Sequence, residues 1–259
     1  MVVQHNLSAI NTNRQMGVVT DALQKSTEKL SSGYKINRAA DDAAGLSISE
    51  KMRSQIRGLN KASDNAQDGI SLIQVAEGAL NETHSILQRM NELATQAAND
   101  TNTSVDRQSI KDEIEQLNEE LDRISSTTQF NKQDLLTGKF SGKLQVGALE
   151  GQTMDLKIST AVSSTGLKVK DIKVSTNENA GKAMKSIQDA IESVSKQRSK
   201  LGAIQNRLEH TINNLDTNAE NTQAAESRIR DTDMADEMVQ YSKNNILSQA
   251  GQSMLTQAN

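Results

Sequence analysis

Apolar residues recur at alternating spacings of three and four along most of this chain, the pattern of helices that pack side by side. Near the start they change phase once and predict an amphipathic helix over about 5–31, with Val3, Leu7, Ile10, Met16, Val19, Leu23 and Leu30. A regular repeat then predicts a helix of about 50 residues, ~75 Å long. Its seam positions are Met52, Ile56, Leu59, Ser63, Ala66, Ile70, Ile73, Glu77, Leu80, His84, Leu87, Asn91 and Ala94.

A third, shorter helix follows in the same rhythm, with Ile110, Ile114, Leu117, Leu121 and Ile124 on one face. The pattern then changes over residues 130–178. Leu144–Val146 and Met154–Ile158 alternate apolar and polar positions, as half-buried strands do, and 147–151 supplies a turn. The same alternation recurs at 167–170 and 172–174. We therefore expect a small β-hairpin region at about 140–175.

The helical repeat returns near Ala180 and holds one register to Ile229. Residues 230–233 interrupt it, and an Asp in this segment is expected to cap a new helix. The last helix carries Met234, Met238, Tyr241, Ile246, Leu247, Met254 and Leu255. Both terminal helices are too polar to be stable alone in water, so we expect them to pair with each other and with neighbouring molecules.

These elements predict a mainly α fold: a long antiparallel coiled-coil rod, a small β-hairpin region and amphipathic terminal helices. The expected domains are a terminal helical inner domain from 1–32 and 235–259, a connector over 33–58, and a helical rod domain over 59–234. The connector lies within LSSGYKINRAADDAAGLSISEKMRSQIRGL at 30–59, which breaks and restarts the helix. Its candidate joint residues are Gly33, Arg38, Asp41, Asp42 and Gly45.

The composition argues against most other classes of protein. The chain of 259 residues has no Cys, Pro or Trp and a formal net charge of -4, so disulfides and nucleic acid as the main partner are not expected. No apolar run is long enough to span a bilayer, and the N-terminus does not resemble a cleaved signal peptide. The histidines, His5, His84 and His210, are scattered and form no metal motif. We therefore expect no enzyme activity, metal or cofactor.

Several long segments resemble bacterial flagellin. Besides 30–59 they are NAQDGISLIQVAEGALNETHSILQRMNELATQAAND at 65–100, QFN at 129–131, LQVGALEGQTMDLKI at 144–158, KLGAIQNRLEH at 200–210 and ESRIRDTDMADEMV at 226–239. The chain looks like a short flagellin without large outer domains. Flagellins usually continue past an SMLxQAN segment into a Leu-rich tail, whereas this sequence stops at Asn259, so the member is truncated or the tail lies outside the sequence.

The resemblance implies a protein that is exported by the flagellar type III route and self-assembles outside the cell into the filament used for swimming. Its implied partners are other copies of itself, an export chaperone, hook-associated junction and cap proteins, and Toll-like receptor 5, without nucleic acid or membrane insertion. The residues expected to serve the chaperone and core assembly are Met238, Ile246, Leu247, Met254 and Leu255.

The resemblance also places a receptor and protofilament contact at Arg89, Leu93 and Glu113. The repeat puts Leu87 and Ala94 on the seam, so Arg89 and Leu93 are expected to point outward on one face. The alternative is an interhelical ion pair between Arg89 and Glu113 beside an isolated surface leucine.

Two other interpretations share parts of this pattern. A hook–filament junction protein has similar terminal helices, and a coiled-coil signalling rod has similar heptads. The unbroken segments at 144–158 and 226–239 favour the filament protein over the first. The signalling rod requires neither the weak terminal helices nor the hairpin.

Overall fold

The computed structural model describes residues 6–258. It is mainly helical, with two small antiparallel strand pairs, which confirms the predicted fold class. In chain order the elements are α1 Leu7–Ser32, α2 Ala43–Ala97, α3 Ser104–Thr127, β1 Gln129–Phe130, β2 Gln133–Asp134, β3 Phe140–Gln145, β4 Thr153–Ile158, α4 Asn177–Arg230 and α5 Met234–Ala258.

Local sequence sets where the helices begin and end. Helix α1 ends at Gly33, whose φ of 75° is the left-handed conformation that glycine adopts most readily. Thr103 and Asp106 form a reciprocal capping box at the start of α3. The carboxylate of Asp233 accepts the backbone N–H of Ala235 at 2.9 Å, so the predicted Asp cap of α5 is confirmed.

The chain divides into two compact units. Unit 1 comprises residues 6–57 and 218–258, and unit 2 comprises Gly58–Thr217. Unit 1 therefore holds α1, the start of α2, the end of α4 and α5, and its boundaries differ from the expected ones in two ways. The expected connector over 33–58 is non-helical only as far as Asp42, because α2 already begins at Ala43. The C-terminal part of unit 1 begins at 218 rather than 235, since the end of α4 packs with the start of α2 within it.

Unit 2 is built on an antiparallel pairing of α2 and α4. Contacts join Ser63 to Asp216, Glu77 to Arg198 and Thr95 to Met184. Helix α3 and the β-hairpin pack against this pair. Its fully buried side chains form one core, which includes Leu80, Leu87, Leu121, Leu156, Ile158, Ile187 and Leu201.

The predicted hairpin at 140–158 is present, with Phe140 opposite Ile158 and Gln145 opposite Thr153. On β4 the apolar residues Met154, Leu156 and Ile158 are buried and the polar ones between them are exposed. The prediction of strands at 167–174 was wrong, because this segment forms turns and irregular backbone. Lys168 has a φ of 59°, which bends the chain into turns although the alternation of buried and exposed side chains persists.

Candidate assembly interface

The described residues hold no cluster of acidic, histidine or cysteine side chains suited to a metal ion. His84 is half-buried and lies 3.0 Å from the amide of Gln88, while His5 lies outside the described residues. No described helix has an apolar stretch of the length needed to cross a membrane.

The terminal helices carry most of the large apolar side chains that unit 1 and unit 2 leave exposed. On α1 and α5 these are Leu7, Ile10, Val18, Met234, Met238, Val239, Ile246, Leu247 and Met254. The two helices pack against each other, yet the only fully buried residue of α1 is the polar Ser26. An apolar surface of this kind marks a site of association with another molecule.

Helix α5 shows how this surface arises. Its half-buried positions include Asn244, Asn245 and Ser248, which are polar. Ile246 remains 66 % exposed and Leu247 44 % exposed. Of the predicted core-assembly residues, Met238 and Met254 are exposed as well, whereas Leu255 is half-buried. Pairing with α1 thus leaves apolar side chains on the exposed side of α5.

The two helix breaks of unit 1 are joined through their backbones. Tyr34 and Asp231 form an isolated antiparallel bridge. The N–H of Lys35 donates to the carbonyl of Arg230 at 2.7 Å, and the N–H of Thr232 donates to that of Gly33 at 3.0 Å. The turn after α1 and the turn before α5 are thus held together.

Arg230 reinforces this junction with its side chain. Its guanidinium lies 4.7 Å from the centre of the Tyr34 ring and 2.8 Å from the carboxylate of Glu50. The hydrogen bond from Arg230 holds the pKa of Glu50 below its ordinary value. None of these three residues was predicted from the sequence. The available signal was that Tyr34, just after α1, and Arg230, the last residue of α4, are side chains able to stack.

The predicted joint residues have distinct roles. The carboxylate of Asp41 accepts the backbone N–H groups of Arg38 and Asn37, which lowers the pKa of Asp41. The side chain of Arg38 pairs with Glu28 at 2.9 Å. Asp42 caps α2 by accepting the N–H of Gly45 at 2.9 Å. These contacts fix the turn and the start of the next helix.

Gly45 does not break the helix, in contrast to the expectation from sequence. It lies in the first turn of α2 and is buried. A Cβ atom at this position would collide with the carboxylate of Asp42 and lie 2.9 Å from Cδ1 of Ile36. The glycine is thus needed for space beside the cap and the buried Ile36.

In the filament that the resemblance to flagellin implies, we expect Gly45→Val to alter filament shape before it affects the folding of the subunit. The valine must displace Asp42 or Ile36 and so shift the junction, while the core of unit 2 is untouched. Electron microscopy of filaments and thermal unfolding of monomers test this. Gly78→Val is the control, because a Cβ at Gly78 meets nothing within 4 Å. Normal filaments from Gly45→Val would contradict the role assigned to Gly45.

Arg89 and Glu113 are close together in unit 2. The Nε of Arg89 donates to Glu113 at 2.9 Å, and a second guanidinium nitrogen lies 3.2 Å from Glu92. These carboxylates raise the pKa of Arg89 above its ordinary value, Glu113 having the larger effect. The pair bridges α2 and α3 while about half of the Arg89 side chain remains exposed. The interhelical ion pair considered from the sequence is therefore present.

Leu93 does not point outward, so that prediction was wrong. Only 2 % of the residue is exposed, and it belongs to the core with Met90 and Ala97. Two helices pack on α2, which therefore buries a wider stripe than the single seam of Leu87 and Ala94. Leu93 nevertheless lies at the base of an open cleft of about 570 Å³ that Arg89 and Glu113 also line.

The fold and its surfaces define a class of protein: a mainly helical protein whose terminal helices expose apolar side chains to other molecules. Residues 3–141 match the family described as the bacterial flagellin N-terminal helical region, and residues 184–259 match its C-terminal helical region. The chain belongs to the bacterial flagellin family. It is a structural subunit of the flagellar filament, a homopolymer that lies outside the cell, and members of this family are not enzymes.

Several relatives match the full length of the chain. A flagellin of Halalkalibacterium halodurans is 56 % identical, and one of Bacillus subtilis is 50 % identical; each match covers 100 % of this chain and 96 % of the relative. The crystal structure of Bacillus cereus flagellin matches with a TM-score of 0.53 and 32 % identity, over 63 % of this chain and 94 % of that one.

A structure of a putative flagellar hook-associated protein from Vibrio parahaemolyticus also matches, with a TM-score of 0.63 over 74 % of this chain and 100 % of that one. At 13 % identity this likeness shows a shared fold alone. The high identity to flagellins separates the filament subunit from the hook–filament junction protein that the sequence analysis had also considered.

Proposed function

We propose that this flagellin is exported by the flagellar type III route and polymerises into a filament that drives swimming. The observation that supports this most directly is the exposed apolar surface of α1 and α5. In a filament these helices would form the inner layer, where each large apolar side chain removed from water contributes about 1.5–3 kcal/mol.

The same surface requires protection before assembly. Met238, Ile246, Leu247 and Met254 are exposed in the isolated chain and would promote premature association in the cytoplasm. An export chaperone that covers these residues and Leu255 prevents it. Hook-associated junction and cap proteins meet the two ends of the filament, and we propose that they engage the same terminal helices.

Polymerisation of the purified protein tests the proposal. Monomers in low salt are induced to assemble with ammonium sulfate, which strengthens apolar burial, and are examined by electron microscopy. Filaments that depolymerise on dilution are the expected result, and restored swimming of a flagellin-deletion strain supports the role in motility. Soluble dimers under all conditions would instead favour a coiled-coil rod of another kind.

We further propose that the monomer is recognised by Toll-like receptor 5 through Arg89, Leu93 and Glu113. The cleft of about 570 Å³ offers the receptor a charged rim and an apolar base. Arg89 and Glu113 are exposed enough for direct contact, whereas Leu93 would act by supporting the base of the cleft.

We expect Arg89→Ala to weaken receptor binding on the order of tenfold or more, because it removes an exposed guanidinium from the rim. Surface plasmon resonance with the receptor ectodomain measures this. Arg123→Ala is a matched control, since Arg123 also lies on the surface of unit 2 and pairs with a neighbouring glutamate. Equal affinity for the Arg89→Ala variant and the unaltered protein would refute the assignment.

A further inference from the structure

Three neighbouring clefts lie along the segment 166–175 of unit 2. The first, of about 430 Å³, shares Lys173 with the second, of about 250 Å³. The second shares Lys168 with the third, of about 210 Å³. Cationic side chains line these clefts, and we call the set the cationic trough: Arg107, Lys111, Lys168, Lys173 and Lys182. The acidic side chains that line it are Asp171 and Asp189.

The backbone of this segment places two lysine side chains at the surface of unit 2. Leu167, Val169 and Val174 are buried and anchor it to unit 2, so that Lys168 and Lys173 are exposed. Lys168 has a φ of 59°, an uncommon conformation for a residue other than glycine. The strained backbone is held by hydrogen bonds from the N–H of Lys168 to Thr165 and from that of Val169 to Ser164.

The two lysines at the centre of the trough, unlike the other cations that line it, form no ion pair among the described residues. Arg107 pairs with Asp100 at 3.0 Å, Lys111 with Glu115 at 3.1 Å, and Lys182 with Glu178 at 2.7 Å. Within residues 6–258, by contrast, Lys168 and Lys173 have no carboxylate within 4.0 Å. Their ammonium groups are therefore available to an external anion, whereas the other three cations of the trough are already paired.

We propose that the cationic trough binds a linear acidic polysaccharide with its sulfate or carboxylate groups at Lys168 and Lys173. A row of neighbouring clefts with two unpaired lysines suits an extended polymer of repeating anionic groups better than a single small anion. No aromatic side chain lines the trough, so it lacks the stacking surface used for single-stranded nucleic acid. The filament lies outside the cell, where acidic polysaccharides are encountered. The proposal does not depend on export, polymerisation or receptor binding.

Binding of the full-length monomer to heparin tests the proposal, with neutral dextran and poly(U) as comparison ligands. The Lys168→Gln/Lys173→Gln variant should bind heparin roughly tenfold more weakly at low salt. The slope of log affinity against log salt concentration should become shallower by about one to two, because two cationic contacts are lost. The control pair Lys196→Gln/Lys200→Gln removes the same charge from exposed positions of α4 outside the trough. It should bind as the unaltered protein does, and Lys168→Arg/Lys173→Arg should retain affinity.

Three outcomes would overturn the inference. The first is an absence of heparin binding by the unaltered protein at low salt. The second is equal weakening by both glutamine pairs, which would reflect net charge alone. The third is poly(U) binding as tight as heparin binding, which would assign the trough to nucleic acid. Circular dichroism of each variant establishes that the helices are intact.

Discussion

Replacing Ile246 and Leu247 together by aspartate should abolish filament formation while leaving the subunit folded. Both side chains are exposed on α5, so neither replacement removes an apolar contact from a buried core of the monomer. In a filament each would be transferred from water to an interface. The double variant loses that transfer energy, about 1.5–3 kcal/mol for each side chain, and introduces two charges that are costly to desolvate.

The critical concentration for polymerisation measures this effect. A loss of about 3 kcal/mol or more raises it at least a hundredfold, which exceeds the concentrations that are practical to reach. Gln249→Asp/Gln252→Asp is the matched control, because it adds two carboxylates to exposed polar positions of the same helix. The control should polymerise within a few-fold of the unaltered protein. Filaments of the Ile246→Asp/Leu247→Asp protein at ordinary concentrations would exclude this face of α5 from the interface.

Leu93→Ala should destabilise unit 2 by about 2–5 kcal/mol, the usual cost of a leucine-to-alanine change in a packed core. Leu93 is 2 % exposed and lies in the core with Met90 and Ala97, so its truncation leaves a cavity between helices. Urea unfolding followed by circular dichroism at 222 nm should show an earlier midpoint for the major transition. Val105→Ala should change the stability by less than about 0.5 kcal/mol, because Val105 is 72 % exposed.

This prediction affects how receptor experiments are interpreted. If Leu93 were a surface residue, its truncation would remove one contact and leave stability unchanged. Because it is buried, Leu93→Ala also loosens the base of the cleft beneath Arg89 and Glu113. Weaker receptor binding by the Leu93→Ala variant therefore does not show that Leu93 touches the receptor. Weaker binding by the Arg89→Ala variant is the more direct sign of a contact, because Arg89 is about half exposed. An unchanged urea midpoint for Leu93→Ala would contradict the buried placement.

The sequence predicted the helices well because their information is local. The repeat from Met52 to Ala94 lies within α2, and the interruption at 230–233 separates α4 from α5. The alternation at 154–158 corresponds to β4. The alternation at 167–174 led to a wrong prediction of strands, because buried and exposed side chains also alternate in this run of turns. Nothing in the sequence revealed the positive φ of Lys168.

The candidate surfaces were harder to predict because they depend on neighbours distant in sequence. A single heptad seam on α2 explains the burial of Leu87 and Ala94. The burial of Leu93 can be predicted only once α3 is known to pack on another side of α2. Arg230 meets Tyr34 and Glu50 only because the two breaks are bridged. Apolar residues in α5 were identified from sequence, but pairing with α1 decides which of them remain exposed.

The bridge between Tyr34 and Asp231 also joins the two turns that precede α2 and α5. One residue inserted or deleted within the first turns of either helix would rotate the rest of that helix by about 100°, so its apolar stripe would face another direction.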